Sequence, residues 1–363
     1  MALETATHIN DLVTTNPDGL DDVSQGDNHI RMVKDVLKRD LPLTQPATAL
    51  GMSLLTSATS AAIRALLGAS NNPFRNRIIN GAMSVYQRTG GAGQTITAGA
   101  ALLYTVDRFY AYCTGANLVS TQSTLTGGRF NMQLSATTSG NTGAGFGTRL
   151  LAKNTLDLAG QNVTLSALLS SNGATSVTWS VFYANTTDSF GTLAAPTRTT
   201  ISSGTFSVTG TETLFSTIIA IPSAATTGIE IVFTVPAIPV LTVVTFSNIQ
   251  LEKGSIATSD IVFEVVDDSL DILRCQRYYL RTTCTARAYA SIADQNIDAP
   301  IYFPAQMRAT PTATFITGTG TVANVSSESV VGITNQSARF SIQSTSTGDS
   351  LAVDRAYSFS AEL

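Results

Sequence analysis

Apolar and polar positions alternate in short stretches over most of this 363-residue chain. The run from Leu241 to Phe246 consists entirely of good strand formers, and Val163, Leu165 and Ala167 alternate with polar neighbours in the same way. Clusters of Gly, Ser, Thr and Asn separate such stretches. Short strands divided by turn residues are typical of an all-β sandwich or barrel, so the pattern predicts a mainly β protein.

Helical spacing appears near the start of the chain. Ile30, Val33 and Leu37 form an apolar stripe that follows a possible capping box at Ser24–Asp27. The pattern predicts one amphipathic helix that ends near Leu41–Pro42. A segment of about 40 residues rarely forms a core alone, so this stripe needs a partner.

Two shorter helices are also predicted. Residues 57–67 are rich in Ala, Ile and Leu and are followed by Gly68, which suits the end of a helix. Acids open and arginines close the segment Asp267–Arg281, as a helix dipole prefers. A second β-domain is expected to start at Tyr278.

Charge is scarce and unevenly placed. Only 13% of the residues are charged, and the net charge is −4. Residues 1–45 hold eight acids and four bases, which equals the net charge of the whole chain. No basic stripe could neutralise a run of phosphates, which argues against nucleic-acid binding. Neither a signal peptide nor an apolar run of about 18 residues is evident, so we expect cytoplasmic synthesis and no membrane insertion.

Residue types limit the chemistry. The chain has only His8 and His29, so a Ser-His-Asp site or a histidine-ligated metal in the β-domains is excluded by composition. The cysteines Cys113, Cys275 and Cys284 lack metal or redox spacing and are expected to be free, buried thiols. No catalytic residue, cofactor or metal is predicted.

Acidic and aromatic residues leave alternatives open. A glycan hydrolase needs two carboxylates, for which Asp267 with Asp268 or Asp271 are candidates, but their position at a predicted helix start also suits capping and the helix dipole. Trp179 alternates in phase with core positions while Phe182 points to the opposite face. We therefore favour a core role for Trp179 over a sugar-binding one.

The N-terminal segment resembles the virion-attachment segment of bacteriophage tail fibres. The matching stretches are Asp11-Leu-Val-Thr-Thr-Asn-Pro17, Ser24–Arg31 and Val33–Lys38. The resemblance implies that this segment anchors the protein to a phage tail or baseplate. The candidate attachment residues are Asp11, Asn16, Gln25, Gly26, Asp27, His29, Ile30, Val33 and Leu37.

Later motifs resemble a jelly roll of the carbohydrate-binding-module type followed by a small C-terminal β-domain, a combination found in phage tail fibres. They are Asn76–Met83, Val106–Phe109, Gln-Leu-Glu-Lys-Gly254 and Cys275–Tyr279. Phe109 stands where the usual pattern has tryptophan. The implied parts are a helical attachment segment (1–45), a neck with a short helix (46–75), a jelly-roll β-sandwich (76–266) and a smaller C-terminal β-domain (267–363).

The resemblance implies a non-enzymatic, homotrimeric tail fibre of a virion, made in the host cytoplasm, that binds a host surface glycan through its β-domains. A purely structural fibre or decoration protein and a glycan depolymerase are the alternatives. The receptor-binding tip is expected in residues 267–363, with polar loops at Gly318–Ser329 and Thr334–Ser337. The candidate receptor-binding residues are Tyr302, Asn324, Ser326, Asn335 and Gln336.

Overall fold

The computed structural model describes residues 5–14, 23–40, 74–89, 93–125 and 128–363. The chain forms two compact units, Met1–Asn72 and Pro73–Leu363. The short helix predicted at residues 57–67 and the attachment candidate Asn16 lie outside the described residues.

The N-terminal unit contains the predicted amphipathic helix. Two 3-10 turns, Ile9–Asp11 and Val23–Gln25, precede the helix α1, Gly26–Asp40. Asp27 in its first turn and Lys38 and Arg39 in its last turn suit the helix dipole. The preceding segment folds back onto this helix, since the backbone N–H of Ile9 donates to Asp40 (2.6 Å).

The apolar stripe of α1 is exposed. Ile30, Val33 and Leu37 are 55%, 36% and 42% exposed, whereas Val36 and His29 on another face are buried. The stripe predicted from the sequence is therefore not covered by the described part of this unit, and this bears on assembly.

The second unit begins with a sandwich of two antiparallel six-stranded sheets. Its strands are β1 (Gln94–Ile96), β2 (Leu103–Tyr104), β3 (Phe109–Thr114), β4 (Leu118–Thr124), β5 (Phe130–Ala136), β6 (Gly143–Leu150), β7 (Asn162–Ser171), β8 (Ser176–Ala184), β9 (Arg198–Ser207), β10 (Thr213–Ala220), β11 (Ile229–Val235) and β12 (Val243–Lys253). A short helix α2 (Ala152–Thr155) follows β6. The first sheet has the order β1-β4-β5-β12-β7-β10, and the second has the order β2-β3-β6-β11-β8-β9.

The inward faces of the two sheets form the core of this sandwich. Phe146 packs against Phe109 and Phe246 at ring-centroid distances of 5.1 and 4.8 Å. Trp179 is 6% exposed, which confirms its predicted core role. The strand predicted to start at Leu241 begins instead at Val243, because Leu241 has a positive φ of 64° that a strand cannot accommodate.

The predicted helix in Asp267–Arg281 is present as α3, Asp268–Gln276, and Asp267 caps it by accepting from the N–H of Ser269 (2.9 Å). A smaller two-sheet domain follows. Its strands are β13 (Tyr279–Ala290), β14 (Asn296–Tyr302), β15 (Thr312–Phe315), β16 (Thr321–Ala323), β17 (Val325–Val331), β18 (Ser337–Ser344) and β19 (Gly348–Ser360).

In this smaller domain one sheet has the order β13-β19-β15 with β16 also on β19, and the other has the order β14-β18-β17. The buried side chains of Phe340, Phe359 and Met307 lie in its core. The interpretation of Gly318–Ser329 as a loop is wrong for most of its length, because this range contains β16 and part of β17. Turn-forming residues within it join two short strands rather than forming one long tip.

A polar joint connects the two sandwiches. The Glu362 carboxylate, which is 6% exposed, pairs with Arg88 (2.7 Å) and with the buried Arg108. The Arg108 guanidinium lies 3.5 Å from the ring centroid of Tyr278, at the start of the C-terminal domain. The buried residues Ile79, Leu151 and Cys275 pack beside it. The chain end thus ties the smaller domain to the larger one.

Candidate functional site

On the outer face of the second sheet, the ring of one aromatic residue lies against a glycine of the neighbouring strand. Tyr112 of β3 pairs with Gly145 of β6, and a Cβ at residue 145 would come within 2.2 Å of the Tyr112 ring. Only glycine leaves space for the ring to lie against this strand. The Tyr112 side chain is half-buried, so part of the ring stays open to solvent.

A second aromatic residue and a cation lie across the same face. Phe182 of β8 points away from the core, because its neighbour Val181 is buried in the sandwich. The guanidinium of Arg198, at the start of β9, stacks over the Phe182 ring at 4.0 Å from its centroid. The Phe182 ring therefore fixes the plane of this guanidinium.

A buried carboxylate organises the cations. Glu230 of β11 has a fully buried side chain and accepts from the Tyr110 hydroxyl (2.5 Å), from Arg149 Nε (2.7 Å) and from Arg198 Nη1. Arg149 also donates to the main-chain oxygens of Leu363 (2.7 Å) and Gly191 (3.3 Å). Three donors thus hold the carboxylate of Glu230, and two guanidinium groups share its single negative charge.

Some donors of this cluster stay uncommitted. Within the described residues, Arg198 donates only through Nη1, so its Nε and Nη2 are free, and the Tyr112 hydroxyl has no partner. Burial raises the pKa of Tyr112, and the nearby Arg198 opposes that rise. The hydroxyl therefore stays protonated at neutral pH and can donate a hydrogen bond.

Hydroxyl groups lie on the same outer face, on β8 and β9. Thr178 and Thr205 contact each other across β8 and β9 at 3.3 Å between their hydroxyl oxygens. Ser180 lies opposite Ser203 in the same pair of strands. We call the outer face with Tyr112, Phe182, Arg198, Glu230 and these hydroxyls the platform. The platform offers ring surfaces, hydroxyls and charged N–H donors together.

The predicted receptor-binding residues fall into two groups. Tyr302, 79% exposed, pairs with Ser337 at one end of β18, and Gln336 and Asn335 lie beside it, since their carbonyl oxygens accept from the N–H groups of Phe303 (3.0 Å) and Met307 (2.8 Å). Asn324 and Ser326 lie near the other end of β18, about 23 Å away at about 3.3 Å per residue. The structure does not bring all five together.

The side chains of the second group, Asn324 and Ser326, are already hydrogen-bonded within the protein. The Asn324 amide donates to the Ser346 carbonyl oxygen (2.9 Å) and the Ser350 hydroxyl (2.8 Å) and accepts from the Ser346 N–H (3.0 Å). The Ser326 hydroxyl donates to the Gln343 carbonyl oxygen (3.1 Å). These side chains hold β17 against the β18–β19 turn.

The attachment candidates surround the start of α1. The Asp11 carboxylate accepts from the N–H groups of Thr7 (3.1 Å) and His8 (2.8 Å), and Asp27 pairs with Arg31 (2.6 Å). Gln25 closes the second 3-10 turn and Gly26 opens the helix. His29 is buried, and neither ring nitrogen has a hydrogen-bond partner among the described residues. Of the candidates, Ile30, Val33 and Leu37 present the largest exposed apolar surface.

The acidic residues considered as hydrolase carboxylates have different positions in the structure. Asp267 caps α3, while Asp268 and Asp271 line a cavity of about 320 Å³ together with Glu264 and Phe263. Desolvation raises the pKa of Asp271, and its carboxylate accepts weakly from the Asn80 N–H (3.4 Å). The described residues contain no group of three or more His, Cys, Asp or Glu side chains that could hold a metal ion.

Other expectations concern thiols and membranes. Cys113, Cys275 and Cys284 are free and buried, as predicted, and burial raises the pKa of each thiol. Within the ranges that the structure describes, no helix is both long and apolar enough to cross a membrane.

Sequence reasoning missed the platform. A signal was present, because Gly145 and Gly147 alternate in β6 as Tyr110 and Tyr112 do in β3. Small residues opposite aromatic ones allow rings to lie flat on a sheet. The pairing of β3 with β6 could not be known from the sequence, since 28 or more residues separate the strands.

Comparisons with known proteins give no family. No protein-family model matches the chain, and no curated protein matches it. Among solved structures, the chain is similar to the enzymatically active domain of tailspike protein 4 of bacteriophage CBA120, with 15% identity and a TM-score of 0.33, covering 50% of this chain and 22% of that one. This chain therefore spans less than a quarter of the tailspike chain.

Carbohydrate-binding modules are also similar. A family 4 module has 12% identity and a TM-score of 0.30, covering 48% of this chain and 98% of the module. The C-terminal family 22 module of Clostridium thermocellum xylanase 10B has 17% identity and a TM-score of 0.28, covering 48% of this chain and 97% of the module.

Proposed function

We propose that this chain is a non-enzymatic tail-fibre protein of a phage-like virion that binds a host surface glycan through the platform. The observation that carries glycan binding is Tyr112, a partly exposed ring held over Gly145 on the outer face of the sheet. The flat faces of aromatic rings accept the C–H groups of a pyranose, and the surrounding hydroxyls suit sugar hydroxyls. The N-terminal motif supports attachment to a tail or baseplate.

Binding at one platform is expected to be weak. Neutral hydrogen bonds contribute about 0.5 to 1.5 kcal/mol each, so a few contacts give modest affinity. Several linked copies can raise avidity by roughly 10² to 10⁴ without any new contact. A fibre with several copies on one virion would use the platform in this way.

Attachment and assembly are the second part of the proposal. Met1–Asn72 is a compact unit of its own, which suits a docking module. The exposed stripe of Ile30, Val33 and Leu37 supports a homotrimer in which α1 packs against its copies. Deleting residues 1–45 should remove the protein from particles while Pro73–Leu363 stays folded. A stable monomer at micromolar concentration would contradict the trimer.

A second candidate for glycan contact is the C-terminal tip. Tyr302 is largely exposed and lies beside Asn335 and Gln336, which favours this end of the domain over the end with Asn324. The other functions under test are a purely structural fibre and a depolymerase. The depolymerase is represented by the cavity that Asp268 and Asp271 line.

The experiment measures binding of the full chain to a panel of bacterial surface polysaccharides. Tyr112→Ala should weaken binding about tenfold, because a stacked ring and its hydroxyl are lost. Tyr289→Ala is the matched control, since Tyr289 is an exposed tyrosine of the other domain. Loss with Tyr302→Ala alone would move the site to the tip.

The remaining outcomes separate the alternatives. Shortening of any polysaccharide during incubation would indicate a depolymerase. If the full chain binds no polysaccharide, the result would favour the purely structural fibre protein. Melting temperatures of all variants exclude unfolding as the cause of a loss.

A further inference from the structure

We infer that the platform selects an acidic saccharide, one with a sugar carboxylate, and that Arg198 is the residue that determines this specificity. The inference rests on the proposed glycan binding and names the chemical class of the ligand. The platform combines a ring surface with a guanidinium whose position is fixed before any ligand arrives. The chemistry of its open atoms decides which sugars fit.

The free edge of Arg198 matches a carboxylate. Glu230 takes Nη1, and the Phe182 ring covers one face of the guanidinium. Nε and Nη2 remain, and their N–H bonds point in parallel from one edge of the plane. Two parallel donors fit the two oxygens of a carboxylate in a bidentate pair. A guanidinium held on two sides loses little conformational entropy when it forms such a pair.

The open polar atoms of the charged cluster are donors. Glu230 is fully buried and already accepts three hydrogen bonds, so it cannot accept from a sugar hydroxyl. Arg149 is committed to Glu230 and to two main-chain oxygens. The open nitrogens of Arg198 can pair only with acceptors, and the Tyr112 hydroxyl can donate to one.

The charge of the cluster points the same way. Arg149 and Arg198 carry two positive charges against one negative charge on Glu230. Arg149 is also held by the main-chain oxygen of Leu363, so Arg198 is the cation of the cluster with donors left open. One guanidinium suits one carboxylate of a sugar and cannot neutralise a run of phosphates, which separates this ligand from a nucleic acid.

A similar cluster in the C-terminal domain shows how the edge is used when it is filled. Arg355 stacks over Phe315 at 4.4 Å, and its Nε and Nη2 donate to the two oxygens of Glu328 at 2.8 and 2.5 Å. There the protein supplies the bidentate carboxylate itself. At Arg198 the same two nitrogens have no carboxylate partner among the described residues, and the ligand is inferred to provide it.

The experiment compares each polysaccharide of the panel with its carboxyl-reduced form, which keeps the sugar ring and removes the charge. The full chain should bind polymers that contain uronic or other carboxylated sugars, and reduction should weaken binding about tenfold or more, the worth of a charge-assisted pair. Arg198→Ala should cause a similar loss on the native polymer and no further loss on the reduced one.

Two further variants separate charge from geometry. Arg198→Lys keeps the charge without the bidentate edge and should bind with intermediate affinity. Arg355→Ala removes a guanidinium that is also stacked and paired, and it should bind as the unaltered chain does. Melting curves show whether Arg198→Ala remains folded. If it does not, the binding test is made with Arg198→Lys instead.

The outcomes are distinct. Equal binding to native and reduced polymers, or unchanged binding by both Arg198 variants, would overturn the acidic-sugar inference while leaving glycan binding intact. Preference for sulfated over carboxylated polymers would overturn the carboxylate assignment. Failure to bind any polymer would overturn the proposed function and this inference together.

Discussion

Each β-domain contains an arginine that stacks on a phenylalanine and pairs with a glutamate, but the two arginines differ in how many of their N–H donors are used. In the larger domain Arg198 stacks on Phe182 and uses one nitrogen on a buried glutamate, Glu230. In the smaller domain Arg355 stacks on Phe315 and uses its whole bidentate edge on Glu328. The arginine, aromatic ring and acid are alike in both domains, so residue type alone does not mark a site. The difference is whether the donors are already satisfied.

Burial also differs between the two clusters. Glu230 is fully buried and holds two arginines, whereas the side chains of Glu328 and Arg355 are 18% and 13% exposed. Removing one partner of a fully buried ion pair leaves a charge without its counter-charge, so Glu230 should matter more to stability than the partly exposed Glu328. The open cluster is thus also the more strongly constrained one, which keeps Arg198 in place for a ligand.

The largest expected effect tests that constraint. Glu230→Gln leaves Arg149 buried without a counter-charge and should destabilise the larger domain by about 3–5 kcal/mol. Glu328→Gln should cost about 1 kcal/mol, because water can reach Arg355. Urea unfolding followed by far-UV circular dichroism covers both domains, and fluorescence of the single tryptophan, Trp179, reports on the larger one. Equal losses in the two variants would refute the comparison.

A third buried carboxylate, Asp107, shows what burial does when no arginine of the described residues pairs directly with the acid. Asp107, in the joint, accepts from the N–H of Gln87 (2.6 Å) and from its Nε2 (3.3 Å). Burial raises its pKa to about 7, although Arg88 opposes the rise. Because the folded state then holds a proton that the unfolded state has released, stability should fall as the pH rises from about 4 to about 7.

The expected loss of stability follows from the size of the pKa shift, and Asp107→Asn is the control variant. The shift corresponds to about three pKa units at about 1.4 kcal/mol each, so the loss is up to about 4 kcal/mol, and it is complete above about pH 7. Asp107→Asn cannot ionise and should lose that part of the pH dependence. Thermal unfolding at pH 5 and pH 7.5 measures the difference, and an unchanged slope in the variant would reject the assignment.

The smallest effects compare the two faces of one sheet. A Cβ at Gly204 would lie 2.6 Å from the buried Trp179 ring, so Gly204→Ala should cost about 1–3 kcal/mol by overpacking. Gly145→Ala displaces Tyr112, which can move into solvent, and should cost less than about 1 kcal/mol. The same change should weaken glycan binding as much as Tyr112→Ala. Retained binding would show that the ring does not need its glycine.

Several elements were predictable from local pattern. The helix at residues 26–40, the capped helix after Asp267, the core position of Trp179 and the buried thiols follow from periodicity, capping chemistry and residue type, and the structure confirms each. Leu241 and the segment from Gly318 show where local pattern failed. A positive φ at Leu241 moves the start of one strand to Val243, and the turn residues after Gly318 hid two short strands from the sequence pattern.

By itself, the sequence determined the mainly β character, the helical start and the scarcity of catalytic residue types, because these depend on side-chain alternation and composition. Only the tertiary structure decided where the open donors lie. Tyr112 meets Gly145, and Arg198 meets Phe182 and Glu230, through strand pairings between distant segments. Tertiary pairing also separated Tyr302 from Asn324 along β18. Register sets which side chains share a face, and long-range register is not encoded in any local stretch of the chain.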